Sequence, residues 1–491
     1  MSIHWPIIRR CITHPTAVAV VDDQRSYKAI ELLIAALVLA DTLDARGASD
    51  RVAIALPCSG MFPIAALAAW ISGRTIVPIN FLLKRDEMQY ILDDSGCDTF
   101  VTVGPLLEFM QYTPSRVKVL KLEDVKFKQV PQPRWPARKA DEDLGVLLYT
   151  SGTTGKPKGV MLSHGNITSN LRMIRKHINF TSKEVMMGVL PQFHTFGLTV
   201  LTALPLTVGA KVVYTAKFVP SKIVGLMREH KATAFIGIPS MYNALCNVKT
   251  AMPEDLASLY YAVSGGEPLP QAVADNFKAK FGVTIAEGYG LTETSPVTNW
   301  CRPNEYKRGS VGQALPEVEQ QIVDLETGSP LGPDIDGEIR MRGPNLMQGY
   351  LNLPDMSRSA LDDKGFLRTG DIGHLDADGH LFITGRLKEM LIIAGENVFP
   401  REIEEALNSH PAIKDSGVVG ISDHIRGEVP MAFIELKEGE TFDQQNIFNH
   451  LKTKIAGFKI PKEIRVVEAL PRNATGKVMR RELKVLAQTP K

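Results

Sequence analysis

The feature that most restricts how this chain can fold is the run from Leu147 to His164, LLYTSGTTGKPKGVMLSH. An apolar, strand-like stretch feeds directly into Thr150-Ser151-Gly152-Thr153-Thr154-Gly155-Lys156-Pro157-Lys158-Gly159. Three glycines let the backbone bend and turn successive N–H groups toward one anion. Four hydroxyls add donors, and Lys156 and Lys158 add positive charge. This composition suits a polyphosphate. It is not a Walker A loop, which needs G-x-x-x-x-G-K-[ST]: here Gly155-Lys156 is followed by Pro157, and position 150 is threonine. A P-loop GTPase or kinase is therefore disfavoured.

The surrounding texture is α/β. Leu32 to Leu43 and Phe62 to Ile71 read as helices, separated by short apolar strands at Arg51 to Leu56 and Thr75 to Ile79. Further strands are expected at Lys211 to Tyr214, Thr233 to Ile238 and Tyr260 to Val263. Strands alternating with helical stretches predict largely parallel sheets. Gln129 to Pro136, QVPQPRWP, reads as a proline-rich connector between two such units. Past about Leu315 the segments VEQQIVD, GEIRMRG and GHLFITGR predict a β-rich subdomain. Pro400 to Leu407 opens like a helix, with proline and acids in its first turn. At 491 residues, two or more domains are expected.

Composition narrows the function classes. Lysine and arginine number 56 against 54 aspartates and glutamates, so the basic excess of a duplex nucleic-acid binder is missing. Cys11, Cys58, Cys97, Cys246 and Cys301 lie far apart, against a zinc site or a disulfide scaffold, so a reducing, cytoplasmic setting is expected. The N-terminal MSIHWPIIRRC lacks the apolar run of a signal peptide. Val185 to Ala210 carries no formal charge over 26 residues. Its prolines, glycines and polar PQFH point to a buried strand, a turn and an apolar helix, so no transmembrane segment is expected, although peripheral membrane contact stays open. Charge splits late in the chain: residues 389–450 hold 4 Lys/Arg and 12 Asp/Glu, residues 451–491 hold 11 and 3. The basic end either meets a phosphate-rich ligand or acidic partner, or complements the acidic stretch before it.

With the loop in view, the chain resembles the adenylate-forming superfamily of acyl-CoA synthetases, peptide-synthetase adenylation domains and luciferases. YTSGTTGKPKGV is similar to its signature loop. Five further segments match in order: PQFHTFG (191–197), EGYGLTETSP (287–296), Thr369-Gly370-Asp371, Gly385-Arg386-Leu387-Lys388, and PRNATGKVMRREL (471–483). The resemblance implies a large N-terminal adenylation domain, residues 1–387, built of parallel-sheet α/β subdomains and a β-rich subdomain. It also implies a small mobile α+β C-terminal domain, 388–491, hinged at Lys388. The implied chemistry has two steps: a carboxylate attacks the α-phosphate of Mg-ATP to give acyl-AMP and pyrophosphate, and a thiol, that of CoA or of an acyl carrier protein, then gives a thioester and AMP.

The resemblance also implies residue roles. Glu293 would be the Mg²⁺ ligand, in keeping with the oxygen ligands that ion takes. Thr292 would contact the α-phosphate, and Tyr289 would lie near adenine. Asp371 and Arg386 would hold the ribose hydroxyls. Lys477 would stabilise charge growing in the adenylation transition state. The loop residues Thr150, Ser151, Gly152, Thr153, Thr154, Gly155, Lys156 and Lys158 would contact phosphate. Gly265, Gly266 and Glu267, and Glu287, Gly288 and Gly290, would line the nucleotide. Gly395 would line the thiol tunnel. His194 matches an aromatic gate near the substrate carboxylate, with a backbone-bonded core histidine as the alternative. Phe196, Ile236, Ile238 and Val297 complete the expected acyl pocket.

Phe193 is followed by His194, and residues 185–210 hold no acid to balance a substrate ammonium, which disfavours amino-acid activation. The apolar FGLTVLTALPL favours a medium- or long-chain fatty acid. An aryl acid, a carrier-protein acceptor and a regulator without chemistry are the alternatives. The last of these is disfavoured, because Glu293, Asp371, Arg386 and Lys477 are all in place.

Overall fold

The computed structural model describes residues 2–150, 156–302, 305–393, 396–423, 427–472 and 478–488. It is mixed α/β, with two large sheets and a smaller one. The seven-stranded sheet runs in the order Gly349–Tyr350, Lys158–Ser163, Leu144–Thr150, Thr75–Pro78, Arg51–Ile54, Thr99–Thr102, Lys118–Lys121. Its pairings from Leu144–Thr150 outward to Lys118–Lys121 are parallel. Helix Met61–Ile71 covers it and is apolar all round; every residue from Phe62 to Ile71 is buried, as such a helix must be. The proline-rich connector leaves the edge strand Lys118–Lys121 and re-enters at Leu144–Thr150, so it joins two strands of one sheet.

The thirteen-stranded sheet joins two textures. Strands Val185–Gly188, Lys211–Tyr214, Ala234–Gly237, Tyr261–Ser264 and Ala286–Gly290 pair in parallel. From Ala286–Gly290 onward the pairing turns antiparallel, through Val297–Trp300 and Ser310–Ala314 to His380–Arg386 and Leu367–Leu375. The β-rich subdomain expected past Leu315 is present, but it is hydrogen-bonded edge to edge onto the α/β part. Ala286–Gly290 is the seam.

The uncharged run 185–210 folds as expected into a strand, a turn and helix. The helix is wound as a π-helix over Phe196–Ala203 before Leu204–Val208 continues as α. Gly197 permits this close turn, since a Cβ there would lie 2.0 Å from the Pro191 carbonyl oxygen. No helix among the described residues is long and apolar enough to cross a membrane.

From Leu391 on, the chain forms a separate five-stranded sheet with helices Pro400–Asn408, Gln444–Lys452 and Arg480–Gln488. It has two apolar cores of its own, one centred on Ile393, Ile403 and Ile434 and one on Val419, Phe433 and Leu483. Part of the late charge asymmetry is met by ion pairs within this unit and with Glu389 just before it. Lys459 pairs with Glu402 at 2.6 Å, Lys462 with Asp423 at 2.8 Å, and Arg472 with Asp415. Arg480 pairs with Glu404 at 2.6 Å and Glu389 at 2.9 Å. For Lys459, Lys462, Arg472 and Arg480 these pairs support the complementary-face reading of the sequence.

Candidate active site

The signature loop closes a β-hairpin. Strand Leu144–Thr150 pairs antiparallel with Lys158–Ser163, with Thr150 opposite Lys158. Ser151, Gly152, Thr153, Thr154 and Gly155 lie outside the described residues, and so do Gly395 and Lys477. The two loop lysines are placed at the hairpin's mouth. Lys156 Nζ lies 5.3 Å from the Tyr90 ring centroid, and Lys158 Nζ lies 5.3 Å from that of Tyr350.

Tyr350 links the loop to the expected Mg²⁺ ligand. Strand Gly349–Tyr350 pairs with Lys158–Ser163, which sets Tyr350 opposite Val160. Its hydroxyl donates to Glu293 Oε1 at 2.9 Å. Burial, followed by the Glu293 carboxylate, raises the Tyr350 phenol above its ordinary range, so it stays a donor. Glu293 sits in the one-turn helix Thr292–Thr294, and the Met347 N–H donates to the Glu293 backbone carbonyl at 2.8 Å. The turn is tight just before it: a Cβ on Gly290 would lie 2.0 Å from the Pro296 carbonyl oxygen. Sequence reasoning missed Tyr350, because only cross-strand pairing brings it to Glu293.

A second cluster forms at the seam. Asp371 and Arg386 are direct cross-strand neighbours. Arg386 Nε donates to Asp371 Oδ1 at 2.6 Å, and the Tyr289 hydroxyl donates to Asp371 Oδ2 at 2.5 Å. Asp371 is only 2% exposed, and Gly370 before it has φ +68°, the left-handed bend that glycine takes freely. Burial, with the Asp371 charge second, holds the Tyr289 phenol well above its usual range. All three expected residues thus meet, with both Asp371 oxygens already accepting from the protein.

The acid side is built differently. Gly265 follows strand Tyr261–Ser264, and a Cβ there would come within 3.0 Å of the Phe196 ring. Gly266 has φ +82°. The His194 ring lies 4.8 Å from that of Phe193, and burial pushes its pKa down to about 4, so it is neutral near pH 7. Its Nε2 is buried without a hydrogen-bond partner among the described residues, as are Oγ1 of Thr195, Oγ1 of Thr199 and Oγ of Ser264. A backbone-bonded core histidine is therefore not what the fold makes of this nitrogen. Glu287 lies on the seam strand itself. Burial pushes its carboxyl up to about 7, opposed by the Arg401 guanidinium and the Leu269 N–H. Lys388 lies exposed in the one-turn helix Leu387–Glu389.

The fold places the chain among the adenylate-forming enzymes. The AMP-binding enzyme family model matches residues 8–351, and the model of the AMP-binding enzyme C-terminal domain matches 402–477. The chain belongs to the AMP-binding enzyme family and is an acid–thiol ligase of the AMP-forming kind. A long-chain-fatty-acid–CoA ligase of Bacillus subtilis (strain 168) is 33% identical over 500 residues, which cover 92% of this chain and 89% of that one. A feruloyl-CoA synthase of Amycolatopsis sp is 31% identical over 499 residues, 98% of each chain. The crystal structure of ATP-bound MatB from Rhodopseudomonas palustris superposes with a TM-score of 0.91 at 30% identity over 99% of each chain; the apo form of that protein gives 0.82.

Proposed function

We propose that this ligase activates a medium- or long-chain fatty acid as acyl-AMP and passes the acyl group to CoA. The observation that carries the adenylation half is a pair of clusters, Tyr289–Asp371–Arg386 on the seam strand and its neighbours, and Lys158–Tyr350–Glu293 at the loop's mouth. A buried carboxylate held by two donors suits paired ribose hydroxyls. Lys156, Lys158 and Thr292 gather the phosphates of ATP, with Gly265, Gly266, Glu267, Glu287 and Gly288 along the base. Glu293 fits Mg²⁺: it is a hard oxygen donor already oriented by Tyr350, and the ion would neutralise phosphate charge. His194, neutral and with an unpartnered nitrogen, contacts the substrate carboxylate without adding charge.

In the first step the carboxylate oxygen bonds to the α-phosphorus and the bond to pyrophosphate breaks. Lys477 stabilises the charge that develops there. In the second step the CoA sulfur attacks the acyl carbon and AMP leaves. We place the boundary between residues 1–387 and 388–491 at Lys388, where rotation of the smaller unit withdraws Lys477 and opens the thiol route past Gly395. The separate cores beyond Leu391 support a rigid moving body.

A specific observation favours a second acid. Thr195, Thr199 and Ser264 bury hydroxyls without partners, and a hydroxylated aryl acid would supply them. The test is thioester formation with ATP and CoA across a chain-length series set against hydroxycinnamates. Highest kcat/KM on saturated chains supports the first reading; preference for the hydroxyaryl acids replaces it with the second.

A further inference from the structure

The connector between strands Lys118–Lys121 and Leu144–Thr150 has no part in the proposed chemistry, yet it is built with care. It contains no regular element from Val125 to Ala140, but it is fixed to the body of the protein at several points. The Gln132 N–H donates to Asp41 Oδ2 at 2.7 Å. Arg134 pairs with Asp41 at 3.0 Å and with Asp44 at 2.5 Å. The Ala137 N–H donates to the Ile71 carbonyl at 2.8 Å. Pro131, Pro133 and Pro136 remove backbone donors and stiffen the chain between these points.

The fixed segment turns its largest apolar side chains outward. Trp135 is 92% exposed and Val130 is 87% exposed, the two highest values for large apolar residues among those described. Water is a poor medium for such surface, and a segment pinned this firmly could have buried it. The surroundings are basic: residues 116–139 carry eight Lys and Arg against two Asp and Glu. Arg116, Lys118 and Arg134 face Asp93, Asp98 and Asp41/Asp44. Lys121, Lys126, Lys128 and Arg138 make no ion pair among the described residues. In the acidic run Asp141–Asp143 that follows, the backbone carbonyls accept from N–H groups of helix His164–Ile178 and from the Gln348 side chain, while Asp141 and Glu142 are exposed.

We propose that this face docks on an anionic lipid surface, with Trp135 and Val130 entering the interface and Lys126, Lys128 and Arg138 meeting the headgroups. An indole prefers the membrane–water boundary, where its ring is dry and its N–H is wet. Clustered lysines and arginines are drawn to anionic headgroups and are weakened by salt. The combination favours a bilayer over an acidic protein: the cations alone would suit either, but Trp135 and Val130 also hold large apolar surface out in water on a proline-stiffened strap. The inference stands on the connector alone and does not depend on which acid the enzyme activates.

Co-sedimentation of the full-length enzyme with phosphatidylcholine vesicles, with and without phosphatidylglycerol, tests it. The enzyme should partition onto the anionic vesicles at low salt and release at high salt. The charge reversals Lys126→Glu and Lys128→Glu together should weaken partition about tenfold or more. Val130→Ala with Trp135→Ala should weaken it by about tenfold, at unchanged turnover of a soluble acid. Trp135→Phe should remove most of a blue shift in emission on vesicle addition, because Trp70 and Trp300 are buried and Trp5 is half-buried. Failure to bind anionic vesicles, or variants that bind as well as the parent, would overturn the proposal. So would self-association that Trp135→Ala removes while no vesicle binding is seen, since the face would then belong to a second copy or a protein partner.

Discussion

The proposed nucleotide side and the proposed acid side both hold buried polar groups, yet their hydrogen bonding is opposite. At Asp371 each carboxylate oxygen already has a protein donor, from Arg386 and Tyr289. At His194, Thr195, Thr199 and Ser264 buried polar atoms stand without partners among the described residues. An unsatisfied buried polar group costs stability, and such groups persist where a ligand completes them. On the proposed assignment, the ribose contact is preorganised by its own bonds, whereas the acid side leaves polar atoms that a substrate would complete.

The largest expected effect tests the nucleotide half. Lys477→Ala should lower acyl-AMP formation about 10²–10³-fold yet largely spare thioester formation from supplied acyl-AMP. Equal loss in both half-reactions would remove the case for a rotating unit. Next, Asp371→Ala strands Arg386 and Tyr289 together. The KM for ATP should rise about a hundredfold, the order seen when one partner of a bonded charge pair is removed. Tyr350→Phe deletes one hydroxyl, and pyrophosphate release should slow about tenfold, with a higher Mg²⁺ requirement, if Tyr350 orients Glu293.

Smaller effects come from buried titratable groups and from the acid side. Burial holds His4, His164 and His194 at about 4, below the ordinary 6.5. A histidine with a depressed folded pKa takes its proton more readily in the unfolded chain. Stability is therefore full above about 6.5 and falls as pH drops from there toward 4. Glu287 opposes this in part: its raised carboxyl favours folding at low pH and loses that contribution as pH rises from 4.5 to about 7. Thermal melts should show a net fall in stability from pH 7 to 5, shallower in His194→Gln and steeper in Glu287→Gln. The smallest change is Ser264→Ala. Removing an unpartnered hydroxyl should leave stability level or raise it by up to about 1 kcal/mol. If Ser264 reads a substrate hydroxyl, kcat/KM should fall on hydroxyaryl acids and stay constant on alkyl acids.

Much of this was legible in the sequence, because local rules and motif order carry it. The apolar run Phe62 to Ile71 could only be a buried helix. Thr369-Gly370-Asp371 announced a bend presenting a carboxylate. What stayed hidden depends on pairing between distant strands. Nothing near Tyr350 marks it as the partner of Glu293; the register Tyr350 opposite Val160 creates the contact. The continuity of the parallel and antiparallel sheets is set by Val297–Trp300 folding back on Ala286–Gly290. The fate of the basic end was open until Lys459, Lys462, Arg472 and Arg480 found acids of their own unit.

Isotope exchange between pyrophosphate and ATP, with and without organic acids, probes the adenylation step without CoA. Label should enter ATP only when a suitable acid is present, and at subsaturating ATP the exchange should fall about a hundredfold in Asp371→Ala. Label entering ATP without acid, or no exchange with any acid of the alkyl and aryl series, would contradict a carboxylate attacking the α-phosphorus at this site.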